Sequence, residues 1–251
     1  MLIATIFLFL GLWIFTLYKD WNRGKFKFDF FQEYIQNISA FGLAPLNVFL
    51  DYCSEDHGPF FNVDTYFSNH KILKDNYDII CKEALQLYKN DLLTPFENSK
   101  FFEFETPAQW NRFFIKWYGT NDELAKKYCP KTQKILESLP EVHMAMFSML
   151  KAHGEIGGHR GLFRGCLRYH LGLVTPNSPQ CHIIVDGENY YWKNGDDMMF
   201  DDTYAHCVNN WTNEDRIILF LDVEKKLSFF GKIVNNFFCK YIIGLISKFQ
   251  N

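Results

Sequence analysis

The seven cysteines of this 251-residue chain include no Cys-x-x-Cys pair, and their number is odd. Their positions, 53, 81, 129, 166, 181, 207 and 239, offer neither a disulfide framework nor zinc-finger spacing. Scattered free thiols fit a reducing compartment, so the cytosol or the cytosolic side of a membrane is the expected setting. A basic excess is missing too, because 26 Lys and Arg stand against 29 Asp and Glu for a net charge of −3. Nucleic acid is therefore not an expected partner, since a phosphate-backbone binder carries a basic footprint. No internal repeat, low-complexity tract or Gly/Ser linker divides the chain, which favours one soluble domain. At 48% hydrophobic and 22% charged, wholesale disorder is excluded as well. What the sequence has in quantity is aromatic side chains, 18% of the total, led by 27 Phe.

Charge is absent altogether from residues 1–18, MLIATIFLFLGLWIFTLY. As a helix this run would reach about 27 Å, just short of the ~30 Å hydrocarbon core. A cleaved signal peptide would want a basic start and a small-x-small site, and neither is present. An interfacial helix and a buried core helix remain as alternatives to a membrane anchor helix over 1–18. The flank 19–27 carries Lys19, Arg23, Lys25 and Lys27, which by the positive-inside rule places everything after the anchor in the cytoplasm. Acidic residues are absent from 225–251, where five lysines interleave with apolar residues at helical spacing. Such a basic amphipathic C-terminal helix suits an anionic membrane surface, and docking on the domain's own core is the competing reading.

Between the ends, the period of the apolar residues changes. Residues 19–140 read as a mostly helical flanking region, with one helix ending ahead of Asn90 and another running from about Asn121 to Leu139, capped by Asn121 or Asp122 and interruptible at Pro130. From 141 the period becomes two. The segments 166–174 and 216–222 alternate strictly, and short runs around 143–150, 181–185, 189–193 and 197–200 are bounded by Gly, Asn, Asp and Pro. The expected fold is mainly β with flanking α-helices, a jelly roll or sandwich over 141–224.

Polar residues recur at inward-pointing strand positions. Arg168 and His170 share one strand face, and Gly172 continues it without a side chain, leaving room for something else. A buried Arg needs a carboxylate from the protein or from a ligand, and Arg216 poses the same question at the start of an apolar strand. Histidines 153, 159, 170, 182 and 206 fall in this region. A lone His in a β core is ordinarily a packing residue, but two contexts stand out. Gly157-Gly158-His159-Arg160-Gly161 leaves an imidazole accessible, and Phe200-Asp201-Asp202-Thr203-Tyr204-Ala205-His206 puts carboxylates just before another. Two neutral imidazoles with neighbouring carboxylates suit a metal such as Fe(II). Trp192, Tyr190 and Tyr191 are candidates for an apolar groove, with strand packing as the alternative.

The ordered set Ser148, His159-x-Gly161, Leu167-Arg168-Tyr169-His170-Leu171-Gly172-Leu173, Phe200-Asp201-Asp202-x-x-x-His206 and Arg216 resembles the aspartyl/asparaginyl β-hydroxylase superfamily. Its lipid A 2-hydroxylase branch is the closer resemblance, through Arg23-Gly24-Lys25, Ala44-Pro45-Leu46-Asn47, Trp110-Asn111-Arg112-Phe113, Cys129-Pro130-Lys131-Thr132 and Thr175-Pro176-Asn177. The resemblance implies a double-stranded β-helix oxygenase that uses Fe(II), 2-oxoglutarate and O2. It implies hydroxylation at C2 of a secondary acyl chain of lipid A, on the cytoplasmic side of a bacterial inner membrane. His159 and His206 match the iron ligands, and Arg216 the clamp on the distal carboxylate of 2-oxoglutarate. Ser148, Arg168 and His170 match positions lining the co-substrate pocket. The carboxylates awaited by Arg168 and Arg216 would then belong to 2-oxoglutarate. One departure stands out. Where the lipid A branch has Asp two residues after the first His, this chain has Gly161, which cannot ligate. A protein hydroxylase of the same superfamily and a non-catalytic membrane-bound lipid-binding relative are the alternatives.

Overall fold

The computed structural model describes residues 2–95 and 109–243. Helix α1 (Leu2–Trp21), a π-helical turn (Phe31–Ile35) and α2 (Ile38–Tyr52) open the chain. The short β1 (Phe60–Phe61) is followed by α3 (Val63–Tyr66), α4 (His70–Asp75) and α5 (Tyr77–Lys89). Strands β2 (Thr94–Pro95), β3 (Trp110–Trp117) and β4 (Thr120–Asn121) lead to α6 (Glu123–Tyr128) and α7 (Pro130–Glu137). Next come β5 (Val142–Leu150), β6 (Glu155–His159), β7 (Cys166–Val174), β8 (Cys181–Val185), β9 (Glu188–Tyr191), β10 (Asp197–Phe200), β11 (His206–Asn210) and β12 (Arg216–Glu224). Helix α8 (Phe229–Phe237) and a second π-helical turn (Phe238–Ile243) close the described chain.

The strands form two antiparallel sheets, ordered β1-β10-β7-β12-β5-β3-β2, with β4 beside β3, and β6-β11-β8-β9. From β5 onward the chain passes back and forth between them, giving a mainly β, jelly-roll-like body with flanking helices. Period-two patterning assigns each face of the large sheet. Leu219 and Leu221 of β12, Phe147 and Met149 of β5, and Tyr169 and Leu171 of β7 pack on a core shared with Leu73, Ile80, Leu87 and Leu136 of the helices. The opposite face sends Leu150, Met198, Phe200 and Ile218 against Ile183, Val185 and Val208 of the small sheet. Strands buried on both faces are apolar on both, except where the second face carries Ser148, Arg168, His170, Arg216 and Asp222.

The break at Pro130 separates α6 from α7, and Asp122 caps α6 by accepting from the Leu124 and Ala125 N–H groups at 2.7 and 3.3 Å. The helix ending before Asn90 is two helices, because Asn76 interrupts it and its side chain donates to the Ile72 carbonyl at 2.8 Å. Strand β3 lies inside the region expected to be mostly helical. It pairs with β5 along Trp110↔Leu150 to Trp117↔Met144, and a bulge between Phe114 and Lys116, with aromatics on both faces, disguises its period.

The room at Gly172 is already filled. A Cβ there would meet the Lys193 carbonyl oxygen at 2.2 Å, and the Gly172 N–H donates to the Asp196 carbonyl at 2.9 Å. Gly172→Ala should destabilise the fold by about 1–3 kcal/mol, as overpacking against rigid backbone does. Thermal unfolding checks this, and an unchanged midpoint would refute the close approach.

The N-terminal helix runs three residues beyond the uncharged stretch and docks by its last turn. Leu17 and Asp20 are buried, and the Asp20 carboxylate accepts from Tyr34 Oη at 2.7 Å and pairs with Arg164 at 2.7 Å. Before that turn, Ile6 to Leu10 and Leu12 to Phe15 lie exposed, Leu8 at 73%. Where a spanning anchor over 1–18 is expected, no helix among the described residues is long and apolar enough to cross a membrane. The basic flank is also smaller than its sequence suggests, since Arg23 is buried in a 2.9 Å ion pair with Asp201.

At the other end the helix starts at Phe229 rather than 225, and Lys225 is buried on Asp201 at 2.9 Å. Gly231, Asn235 and Cys239 face inward, while Phe229, Phe230, Ile233, Phe237 and Tyr241 are exposed. The apolar side of this segment thus points away from the body. Residues 244–251 of the expected tail, like 96–108, lie outside the described residues.

Candidate active site

The inner face of the large sheet and the small sheet enclose a cavity of about 800 Å³. Strands β6 and β11 pair at His159↔His206, which brings the two rings to 4.1 Å between centroids. Each ring is held by a local backbone contact, with Nδ1 2.8 Å from the Gly157 carbonyl in His159 and 2.9 Å from the Tyr204 carbonyl in His206. A carbonyl can only accept, so Nδ1 carries the proton and Nε2 the ligating lone pair. Burial lowers the His159 pKa, and burial with the neighbouring His159 takes that of His206 well below the ordinary imidazole range. Neutral imidazoles at neutral pH are the form that binds metal.

The third side of this pair answers the question raised by Gly161. A Cβ on Gly161 would lie 2.0 Å from Asp202 Oδ2, and the Gly161 N–H donates to the Asp202 carbonyl at 2.8 Å. The carboxylate of Asp202 therefore occupies the space into which a side chain at 161 would grow. Burial raises its pKa, against the opposing pull of Arg168. The segment carrying it is fixed from behind by Asp201. Arg23 and Lys225 both reach that carboxylate at 2.9 Å, and despite its burial they hold it well below the usual carboxylate range. Gly24 turns this N-terminal strap at φ +77°, where the Lys25 and Phe26 N–H groups donate to Asp186 Oδ1 at 2.6 and 3.1 Å.

The two arginines expected to await a ligand differ. Arg168 is supplied by the protein itself, through Nε to Asp202 at 2.9 Å and a close pair with Asp222, so its carboxylates do not wait for 2-oxoglutarate. Burial works against its charge, but Asp202, Tyr118 and Cys166 together outweigh it, so its pKa is raised. Arg216 is the reverse case. It is 2% exposed, its guanidinium stacks 4.3 Å over Trp192, and among the described residues it has no carboxylate partner. Burial pushes its pKa down to about 10, which leaves it charged at neutral pH. A buried cation without an anion costs several kcal/mol, and an anionic ligand removes that cost.

Ser148 lies on the same inner face, paired with Ile218 of β12, one inward position from Arg216. Its Oγ accepts from Trp110 Nε1 at 2.8 Å, so its own proton can be donated elsewhere. Both nitrogens of His170 are buried without a hydrogen-bond partner among the described residues, and burial together with Arg216 keeps the ring neutral. The six site residues named from sequence all line this one cavity. His182 is bonded to the Pro179 carbonyl and lies outside it, and His153 is exposed.

Sequence reasoning missed Arg112 and Asp222. Arg112 pairs across from Ser148 on β3, and burial lowers its pKa to about 9. Its strand lies within 19–140, where a mostly helical region is expected, so its inward direction is hidden in the sequence. Asp222 was visible as the polar end of an alternating strand, on the same face as Arg216. Trp192 does not line the cavity but supports Arg216. The apolar wall comes instead from Phe114, Trp117, Met144, Met146, Phe163 and Phe238, and it runs from the imidazole pair towards Leu43 of α2 and Ile242 of the C-terminal turn.

Two facing sheets around a pair of inward imidazoles, a buried carboxylate and a buried arginine define a jelly-roll protein with a polar pocket of the kind enzymes carry. Residues 74–226 match the family described as aspartyl/asparaginyl beta-hydroxylase, and the chain belongs to it. The ornithine lipid ester-linked acyl 2-hydroxylase of Rhizobium tropici is 35% identical over 131 residues, covering 52% of this chain and 47% of that protein. The aspartyl/asparaginyl beta-hydroxylase of Homo sapiens is 30% identical over 161 residues, 61% of this chain and 20% of that protein. The chain spans half or less of the length of these relatives. Among solved structures, a Trichoplax adhaerens prolyl hydroxylase in complex with a hypoxia inducible factor peptide fragment matches at a TM-score of 0.44 and 11% identity, covering 60% of this chain and 79% of that one.

Proposed function

We propose that the chain is an Fe(II)- and 2-oxoglutarate-dependent dioxygenase that hydroxylates C2 of a fatty acyl chain of a bacterial membrane lipid. The secondary acyl chain of lipid A is its proposed substrate. The observation that carries the reading is Arg216, a buried, charged guanidinium with no carboxylate partner among the described residues, in the same cavity as two neutral imidazoles. The donor set fits the metal, since paired imidazoles with a nearby carboxylate suit Fe(II). His159 and His206 would hold it, with Asp202 beside them. Arg216 and Ser148 would take the distal carboxylate of 2-oxoglutarate, and His170, with two unused nitrogens, faces the same space. When bound, iron and 2-oxoglutarate, with O2, supply oxidative insertion of one oxygen atom of O2 into a C–H bond, the other ending in succinate as CO2 is released.

The protein's own part is orientation and exclusion of water. The Asp201 ion pairs fix the loop before His206, and the Asp202–Arg168–Asp222 chain fixes the floor of the cavity. The apolar wall favours an acyl chain over a peptide, whose amides would find few partners there. It ends at α2 and the C-terminal turn, near the exposed apolar side chains of α8 and that turn. Burying these, with those of α1, in an anionic bilayer surface on the cytoplasmic side of the inner membrane would put the cavity mouth against its substrate. The Rhizobium tropici relative supports the acyl 2-hydroxylase reading and makes ornithine lipid the second candidate.

Mass spectrometry of lipid A and of total lipids, from cells with and without the gene, tests the assignment. One added oxygen on an acyl chain of lipid A is expected, absent with His206→Ala. The same oxygen on ornithine lipid would move the substrate, and unchanged lipids throughout would sink the acyl reading. Gly42→Trp adds a second test, because Gly42 lines the cavity and has nothing within 4 Å of a built Cβ. The indole should lower lipid hydroxylation at least ~10-fold, the effect of about 1.4 kcal/mol, while 2-oxoglutarate still binds. Undiminished hydroxylation would place the acyl path elsewhere.

A further inference from the structure

We propose that His143, Cys166 and Cys239 supply three ligands of a second metal site, one for a soft divalent ion of the zinc class. The three residues come from the start of β5, the start of β7 and the C-terminal π-helical turn, and one ligand atom of each lies within 4.8 Å of the others. Both cysteines are buried. The Nε2 atom of His143 is buried without a hydrogen-bond partner, an orphan that costs about 1–3 kcal/mol unless something binds it. Its ring is held parallel to Tyr118, with centroids 5.8 Å apart.

The donor chemistry decides the class of ion. Thiolates with one imidazole select zinc, at Zn–S about 2.3 Å and Zn–N about 2.0–2.1 Å, whereas no cysteine lines the imidazole and carboxylate pocket among the described residues. The thiols of Cys166 and Cys239 lie against each other and otherwise have only weak partners. Tyr118 Oη lies 3.8 Å from Cys166 Sγ, and Cys239 Sγ lies 3.8 Å from Asn235 Oδ1. Ligation would release a proton from each thiol and leave a dication balanced by two thiolates, a neutral cluster suited to burial. Burial lowers His143 to about 4, so the imidazole needs no deprotonation at neutral pH. The consequence lies next door. Cys239 follows Phe238 and precedes Ile242 and Ile243, all three of which line the large cavity, so the ion would pin one cavity wall to the ends of β5 and β7.

Co(II) added to the reduced full-length protein under anaerobic conditions reports on this site. A thiolate-to-cobalt charge-transfer band of one equivalent is expected, displaced by Zn(II), retained in His206→Ala and lost in Cys166→Ser/Cys239→Ser. Cobalt at the two-imidazole site gives no such band, so failure here is distinguishable from failure of the oxygenase reading. If the double serine variant does not fold, His143→Gln serves instead, and a weakened, blue-shifted visible spectrum is the supporting result. Wild-type protein without the band, a band insensitive to these substitutions, or a Cys166–Cys239 disulfide in the protein as isolated would each overturn the proposal.

Discussion

Arg216→Ala should abolish 2-oxoglutarate turnover while leaving the fold intact. The side chain is 2% exposed and stacked on Trp192, and no carboxylate compensates it among the described residues. Two charge-assisted hydrogen bonds to a carboxylate, at about 1.5–3 kcal/mol each, are lost with the guanidinium, a fall of at least ~100-fold. Stability moves differently. Removing a charge that has no partner also removes its desolvation cost, which offsets part of the cavity left behind. The unfolding midpoint of the ligand-free variant should therefore stay near that of wild type, and 2-oxoglutarate should stabilise wild type alone. Arg216→Lys should recover little, because a single ammonium cannot make the planar two-point contact. A KM merely doubled in Arg216→Ala would remove this residue from the anion site.

That prediction separates two arginines that look alike in the sequence. Both stand at inward positions of alternating strands, and strand periodicity identifies the direction of each. Periodicity does not say what lies opposite. The carboxylates that satisfy Arg168 come from positions 202 and 222, more than thirty residues away, and the pairing of β7 with β10 and β12 in the large sheet brings them there. The inward faces of β7 and β12 were legible because one rule, period two, governs them. Strand β3 was not, since its bulge shifts the alternation and its outward face carries Phe113 as its inward face carries Phe114. The inward direction of Arg112 is hidden by the same bulge. The His143, Cys166 and Cys239 cluster was hidden for the same kind of reason, because ligands from three distant elements leave no local spacing to read.

The tails show a different limit. Charge and apolar content were legible, but the partner of each lysine was not. Arg23 and Lys225, counted with the membrane-facing charge, both lie buried on Asp201 and hold the loop before His206. A basic residue beside an apolar run can serve a bilayer or an internal carboxylate, and composition weighs the two equally. The exposed Phe229, Phe230, Ile233 and Phe237 are what remains for an outside partner.

Gly161→Asp, the substitution that would restore the usual two-His, one-carboxylate pattern, should inactivate the protein instead. The new Cβ would fall 2.0 Å from Asp202 Oδ2 and 2.2 Å from its Cγ, so the two side chains cannot share the space. Displacing Asp202 breaks its 2.9 Å contact with Arg168 and leaves a second carboxylate in a buried pocket. Overpacking of this kind costs about 1–3 kcal/mol, and each kcal/mol should lower the unfolding midpoint by about 2–4 °C in a chain of this size. Fe(II) binding, followed by anaerobic titration, should weaken at least ~10-fold with the displacement of the carboxylate beside the imidazole pair. The paired change Gly161→Asp/Asp202→Gly tests the physical reason. It moves one carboxylate from position 202 to 161, within the same volume and still beside Arg168, so both stability and metal binding should return towards wild type. Were Gly161→Asp alone as stable as wild type and tighter for iron, Asp202 would not occupy that space. The glycine is then best understood with its neighbour: the carboxylate the pattern lacks two residues after His159 stands four residues before His206, and only one of the two positions can hold it.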